Sequence, residues 1–360
     1  MNIYVLNIFV PFLIFLIGNC LGLRKIEIKK FVLSSVAIYL FVFLSFFNYQ
    51  TFPDIDTYNA YYSFLTENSI GELYYSSGTL MEYGYLLFNK ILTFVSPNPR
   101  FLYIVRSFIF SYCIICVVKK HSCSYLVSLI FFFLLFGLNQ SIFVVRQYLA
   151  ISIFLLSIAS ILDNKVKIYF LFWLLSFSFH KSMIICLPLY WLYHYSLIKK
   201  NNVVIISCIF IIMSFFLKTA FIIVSERWGI YGDYLLNMGD NGNSAGLLIR
   251  ALVIFIPFIL FCRKKIYIDK YATLFFWTSL LNVVMSIVLI GVPAGSRLYS
   301  CYNSFSMLAI PYTANSIISR KLKEFYFLIL LLFFSFFYFL RMSDYSYYFM
   351  WQDCNEFYVE

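Results

Sequence analysis

Charged residues are scarce in this sequence. They make up 12% of the 360 residues, about half the share that soluble domains carry, while hydrophobic residues make up 62% and the mean hydropathy is +0.85. A soluble globular domain is excluded, because too few polar side chains are available to cover its surface. The chain is predicted to be all-α, a polytopic integral membrane protein with a single membrane domain over residues 1–360.

Several familiar motifs are also lacking. The sequence has no HExxH, Walker loop or EF-hand, and no nucleophile triad spacing. Its nine cysteines lie mostly in apolar runs, and the pair Cys113 and Cys116 falls mid-helix without a nearby histidine. No metal site and no cofactor are predicted. The net charge of +11 does not indicate nucleic acid, because the cations fall mainly in short connections between apolar segments.

Apolar segments of bilayer-crossing length follow one another along the chain. A spanning helix needs about 20 mostly apolar residues. The first segment is too long and uninterrupted for a cleaved signal peptide. The predicted spans are 2–22, 31–49, 101–118, 122–138, 141–162, 203–224, 247–262, 271–292, 298–318 and 325–341.

The segment 168–195 is predicted to cross twice, because His180 and Lys181 stand in its middle. All basic clusters then fall on one side, the cytoplasmic one under the positive-inside rule. Two short helices, 168–179 and 182–196, turning at His180, bring the total to twelve spans with both termini outside. The clusters are Arg24/Lys25/Lys29/Lys30, Lys119/Lys120, Lys165/Lys167, Lys199/Lys200, Arg263/Lys264/Lys265/Lys270 and Arg320/Lys321/Lys323.

Two external segments, about 50–100 and 225–246, hold many of the acidic residues. Within the first, 83–95 is too short to span comfortably and carries Lys90, which predicts an interfacial or re-entrant helix. The second is rich in glycine and asparagine and is predicted to be a mobile loop.

Six cations are predicted to lie in the outer portions of spans. A long cationic side chain can reach the headgroups by itself, but the external side is where positive charge is disfavoured during insertion. A shared anion explains the group better, and the guanidinium fork suits a lipid diphosphate. The six are Arg106, Arg146, Lys181, Lys218, Arg250 and Arg297.

If that lipid carries a sugar, an acceptor hydroxyl needs a base or an orienting group, and Asp54, Asp56, Glu82 and His180 are the candidates. Each has a simpler explanation: an aspartate can cap a helix, Glu82 can be a solvated loop charge, and His180 can mark a turn. The Asp54-x-Asp56 spacing is the one place where a divalent cation could bind. Tyrosines around these acids, Tyr58 among them, indicate an aromatic belt or sugar stacking.

Five short motifs, taken in order, resemble the EpsG-type family of bacterial polysaccharide polymerases, which overlaps with the Wzy O-antigen polymerases. They are "DIDTYNAYYSF", "MEYGYLLFNKIL", "VVRQYLAISIFLLSI", "FSFHKSMIICLPLY" and "GSRLYSCYN". By position, the matching residues are Asp56 and Tyr58, Glu82 and Gly84, Arg146, His180, and Arg297 before Tyr299.

The resemblance implies a glycosyltransferase of the bacterial inner membrane, with its site facing the periplasm. It would transfer a growing glycan from undecaprenyl diphosphate to a lipid-linked repeat unit, with a flippase and a chain-length regulator as partners. In this hypothesis Arg146 and Arg297 bind the diphosphate. Further contacts with the substrate are expected from Arg106, Arg250, Lys181, Tyr58 and Tyr299. Asp56, Glu82 or His180 is expected near the acceptor hydroxyl.

The alternatives are a flippase or transporter of the lipid-linked oligosaccharide, an O-antigen ligase, or another membrane glycosyltransferase. A transporter predicts charges along a path through both leaflets.

Overall fold

A computed structural model describes residues 7–47, 53–77, 81–135, 137–194, 203–228, 244–288 and 295–342. Within these ranges the regular structure is helical and no strand occurs, so the predicted all-α class is confirmed. Helices suit so apolar a chain because they pair every interior backbone polar group within the segment, as the bilayer core requires.

The helices are numbered in chain order, with two 3₁₀ segments at Lys181–Cys186 and Lys265–Tyr267. They are α1 (Val10–Cys20), α2 (Lys25–Ser45), α3 (Pro53–Glu67), α4 (Ile70–Ser77), α5 (Tyr83–Thr93), α6 (Arg100–His121), α7 (Tyr125–Leu134), α8 (Gly137–Phe143), α9 (Val145–Leu155), α10 (Ile158–Leu162), α11 (Val166–Phe179), α12 (Leu189–His194), α13 (Val203–Trp228), α14 (Ser244–Cys262), α15 (Lys270–Val288), α16 (Gly295–Asn303), α17 (Ser306–Ser316) and α18 (Arg320–Met342).

Within the described ranges, five helical stretches are long and apolar enough to cross a bilayer. They are α2, α6, Val145–Leu162, α15 and Arg320–Leu340, and the bent pair α7–α8 is a sixth candidate. The chain is therefore an integral membrane protein, while the total of twelve spans stays a prediction. Val145–Leu162 and α15 form the centre of the bundle, each with 83% of its apolar window buried, whereas Arg320–Leu340, at 22%, lies at the periphery.

The described basic clusters share one end of the bundle. His121, which follows Lys119 and Lys120, has Nδ1 3.0 Å from the Tyr271 hydroxyl, next to Lys270. Further contacts at this end join Lys29 Nζ to the Tyr125 ring (6.0 Å), Lys270 Nζ to the Leu162 carbonyl (3.4 Å), Lys265 Nζ to Ser316 Oγ (3.1 Å) and Lys323 Nζ to Asn315 Oδ1 (2.6 Å). We call this the basic end. Lys199 and Lys200 lie outside the described residues.

The chain reverses at His180, where a break was predicted. Helix α11 ends at Phe179, and His180 is extended at φ −156° and ψ 122°. The return arm packs along α11, since the Trp173 indole donates to the Met183 carbonyl at 2.9 Å. His194 Nε2 then lies 2.9 Å from the Ile161 carbonyl oxygen, so residues 166–194 leave the basic end and come back to it.

The prediction of one continuous helix over 182–196 is wrong for its described part. Residues Lys181–Cys186 form a 3₁₀ segment and Leu189–His194 a short α-helix. Pro188 stands between them and has no N–H to continue a helical ladder. Residues 195 and 196 lie outside the described part.

In its described part, the segment 50–100, which is predicted to be external, forms helices α3 to α5, and the helix predicted over 83–95 is present as Tyr83–Thr93. Lys90 fastens this unit, because its Nζ donates to the carbonyls of Leu65 (2.7 Å) and Asn68 (3.0 Å) at the end of α3. A cation at a helix C-terminus satisfies free carbonyls and the helix dipole. Of the other predicted loop, residues 229–243 lie outside the described part.

Candidate functional site

Arg146 is the centre of the site. It is the second residue of α9, at the opposite end of that helix from the basic end. Its guanidinium carbon lies 5.8 Å from the ring centres of both Tyr58 and Tyr85, which is cation–π distance. Nε donates to the Tyr58 hydroxyl at 3.4 Å, and Nη1 forms an ion pair with Glu82 Oε2. The side chain is 18% exposed, so it is enclosed but reachable.

Glu82 connects Arg146 to the reversal at His180. Its Oε1 accepts a hydrogen bond from the Lys181 backbone N–H at 3.0 Å, while Oε2 binds Arg146. The start of α5, helix α9 and the 3₁₀ segment therefore meet at one carboxylate, and α3 joins them through the contact of Tyr58 with Arg146. We call Tyr58, Glu82, Tyr85, Arg146 and the Lys181 N–H the Arg146 cluster.

Arg106 lies near this cluster and is 2% exposed. Burial raises the pKa of the Tyr85 phenol, and the guanidinium groups of Arg146 and Arg106 oppose that effect. Two of the predicted cations are thus close enough to influence one hydroxyl. Tyr85 is one of several tyrosines around the predicted acids, and no sequence pattern distinguishes it from the others, because only the fold encloses it.

His180 is partly buried beside the cluster. Its Nδ1 accepts from the Ser182 backbone N–H at 3.2 Å and lies 2.7 Å from Ser182 Oγ. Because a backbone N–H can only donate, the ring is neutral and carries its proton on Nε2. In this tautomer Nε2 is a hydrogen-bond donor, which suits contact with an anion better than proton abstraction.

Helix α16 joins the site through Cys301. Its Sγ lies 3.7 Å from Gln147 Nε2, next to Arg146, and 3.8 Å from Ser182 Oγ. Arg297 belongs to the same helix, one turn before Cys301, but its side chain lies outside the described part. The position of α16 is consistent with a role for Arg297 at the cluster, which stays a prediction.

Arg250 and Tyr299 form a separate pair. The Arg250 guanidinium carbon is 5.8 Å from the Tyr299 ring centre and 5.9 Å from that of Phe337, and Nε donates to the Gly246 carbonyl at 3.1 Å. The Tyr299 hydroxyl donates to Asn303 at 2.9 Å. Both predicted residues are buried, on helices that contact each other.

Four predicted residues contribute differently from expectation or stay untested. Lys181 contributes its backbone N–H, while its side chain is exposed. Asp56 is exposed and lies two residues from Tyr58 on α3, about 200° around the helix, so the two side chains do not share a face. The side chains of Asp54 and Lys218 lie outside the described part.

The structure thus defines a helical integral membrane protein with an enclosed, ion-paired arginine at the end of a central helix. Residues 31–355 match the EpsG family model, and the chain belongs to this family. The resemblance carried by the five motifs is confirmed. Neither the comparison with curated proteins nor that with solved structures gives a match. Membership in the family indicates a membrane protein of the polysaccharide-polymerase type.

Proposed function

We propose that the protein is a polysaccharide polymerase that transfers a growing glycan from undecaprenyl diphosphate to a lipid-linked repeat unit. The observation that carries the proposal is Arg146, a cation held at a bundle end by Glu82 and two tyrosines, in a chain that belongs to the EpsG family. Polar functional groups converge there in an otherwise apolar protein.

The transfer makes one bond and breaks one. The acceptor hydroxyl oxygen bonds to the anomeric carbon of the donor sugar, and the bond from that carbon to the diphosphate oxygen breaks. The hydroxyl proton passes to a carboxylate, for which Asp56 is the proposed base. Negative charge develops on the departing diphosphate, and a preorganised cation lowers the barrier by stabilising it. Arg146 supplies that cation, and Arg106, Arg250 and Arg297 are its proposed supports.

The basic end supports a proposed side of the membrane. Under the positive-inside rule the basic end faces the cytoplasm, so the Arg146 cluster, at the other end of α9, faces the periplasm of the inner membrane. The twelve-span topology with both termini outside belongs to the same proposal. Among acceptor-side candidates, Asp56 is exposed and therefore accessible to a sugar in the aqueous phase.

The test is polymerisation in vitro. The full chain in proteoliposomes is mixed with lipid-linked repeat units extracted from polysaccharide-producing cells, and products are separated by length. A ladder is expected with the wild type, and none with Arg146→Ala. Transport of the lipid-linked unit without a ladder would favour the flippase, and a single transfer of finished glycan to a lipid acceptor would favour a ligase. Either result would overturn the polymerase proposal.

A further inference from the structure

Glu82 has an unusual conformation for its position in the chain. It is the N-cap residue of α5, with φ −68° and ψ 137°, yet its side chain makes no capping hydrogen bond to that helix. An N-cap side chain ordinarily accepts from the first free N–H groups of its own helix. Here the carboxylate turns instead to another helix and to a turn 99 residues further along the chain.

Both carboxylate oxygens are engaged. Oε2 binds the Arg146 guanidinium, and Oε1 accepts the Lys181 N–H. Glu82 is 8% exposed, so neither interaction is strongly screened by water. A general base must have its proton-accepting atom within reach of a substrate hydroxyl, and these contacts hold both oxygens against protein groups instead.

Gly84 makes this arrangement sterically possible. A Cβ built on Gly84 would lie 2.6 Å from the Ser178 Cβ and 2.7 Å from the Ser178 carbonyl oxygen, well inside normal contact distance. Without a side chain there, α5 begins directly against the end of α11. Because Ser178 stands three residues before Lys181, this approach brings the Glu82 carboxylate within reach of the Lys181 N–H.

We infer that Glu82 is a positioning residue, which fixes the Arg146 guanidinium for the diphosphate of the substrate and is not the base of the reaction. Glu82 and Tyr58 hold Nη1 and Nε, so the plane and direction of the guanidinium are set from two sides. The inference rests on the proposed function, since it names what Arg146 is positioned for.

Binding of undecaprenyl diphosphate, the donor lipid without its sugar, separates the two roles of Glu82. Radiolabelled undecaprenyl diphosphate is titrated onto the full chain in nanodiscs. Glu82→Gln is expected to weaken binding about tenfold or more, because a small displacement of a positioned group is costly. On an Arg146→Gln background the same substitution should have little further effect, because the two residues act as one unit.

A base would behave in the opposite way. In that case Glu82→Gln would leave the affinity unchanged and lower only the polymerisation rate, by about 10²- to 10⁴-fold, and the inference would be overturned. A wild type that does not bind undecaprenyl diphosphate would instead overturn the proposed function, and this inference with it. The wild-type and variant titrations therefore distinguish the two failures.

Gly84→Ala gives a second test that leaves every polar group of the cluster in place, and it carries the experiment if Glu82→Gln does not fold. It should weaken binding in the same direction, because α5 must move away from α11. Gly71→Ala is the matched control: it lies in α4 of the same external segment, and an added Cβ there has only Ser69 Oγ nearby, at 3.9 Å. Equal affinity of the two glycine variants would contradict the inference.

Discussion

Two arginine–glutamate pairs at different places in the bundle show how burial changes the role of the same two side chains. In the Arg320–Glu324 pair, at the start of α18, the side chains are 91% and 63% exposed. In the Arg146–Glu82 pair they are 18% and 9% exposed. Water screens the first pair, which therefore contributes little to stability. In the second pair both charges have lost hydration. Removing one partner would therefore leave the other charge buried and unpaired, which lowers the stability of the fold.

The pairs also differ in the distance along the chain between partners. Arg320 and Glu324 are four residues apart on one helix, whereas Arg146 meets Glu82 over 64 residues and Tyr58 over 88. The first pair forms wherever α18 is helical. The second exists only after α3 and α5 have docked on α9, so it reports directly on the tertiary structure of the site.

The largest effect is expected from Arg146→Ala. It should abolish polymer formation and lower the free energy of unfolding by about 3–5 kcal/mol, because Glu82 is left buried without its partner. Thermal unfolding in detergent and product length in proteoliposomes measure the two effects. In the double variant Arg146→Ala/Glu82→Ala, stability should recover partly while activity does not. Recovery of both would mean that the pair is structural only.

A smaller effect is expected at His180, and two substitutions divide the roles of its ring nitrogens. Glutamine places an amide donor near the position of Nε2, while asparagine places an amide oxygen near Nδ1, where it can accept from the Ser182 N–H. If Nε2–H contacts an anion, His180→Gln should retain most activity and His180→Asn should lose about tenfold or more. The reverse order, measured as polymerisation rate, would favour a role confined to the turn.

Lys90→Met should cost less, about 1–2 kcal/mol, because the Leu65 and Asn68 carbonyls lose a charged donor at the end of α3. Hydrogen exchange should increase over residues 53–93 and little elsewhere. Lys165→Met at the basic end is the control, since that lysine pairs only with an exposed Asp163 within the described part. Equal exchange in both variants would show that Lys90 does not hold α5 against α3.

Much of the fold could be predicted from the sequence because its determinants are local. Many helix positions follow from apolar run length, and the reversal at His180 follows from where the basic clusters stand. The predicted spans 122–138, 141–162 and 298–318 are each divided between separate helices, because run length alone does not show where a helix breaks. The break within 182–196 also has a local cause, because Pro188 interrupts a short apolar arm.

The site was predicted as a set of residues and not as an arrangement. Arg146, Glu82 and Tyr58 were named, but nothing in the sequence paired them, because the pairing depends on how α3 and α5 dock. Glu82 could equally have been a solvated loop charge. The Gly84–Ser178 approach was beyond sequence reasoning altogether, since a close contact between two distant segments leaves no periodic pattern in either one.

Arg320→Ala is expected to have the smallest effect of all. Its ion pair joins it to Glu324, one helical turn further along, and is open to water. Hydration of the separated charges therefore replaces most of the stability that the pair contributes. Lys321 and Lys323 remain to keep the cluster positive, and the orientation of α18 should therefore be unchanged. No measurable change in apparent Tm or in polymer length is expected. A clear loss of stability would mean that burial is not what separates the two arginine–glutamate pairs, and the role inferred for Glu82 would then need support from the binding titrations alone.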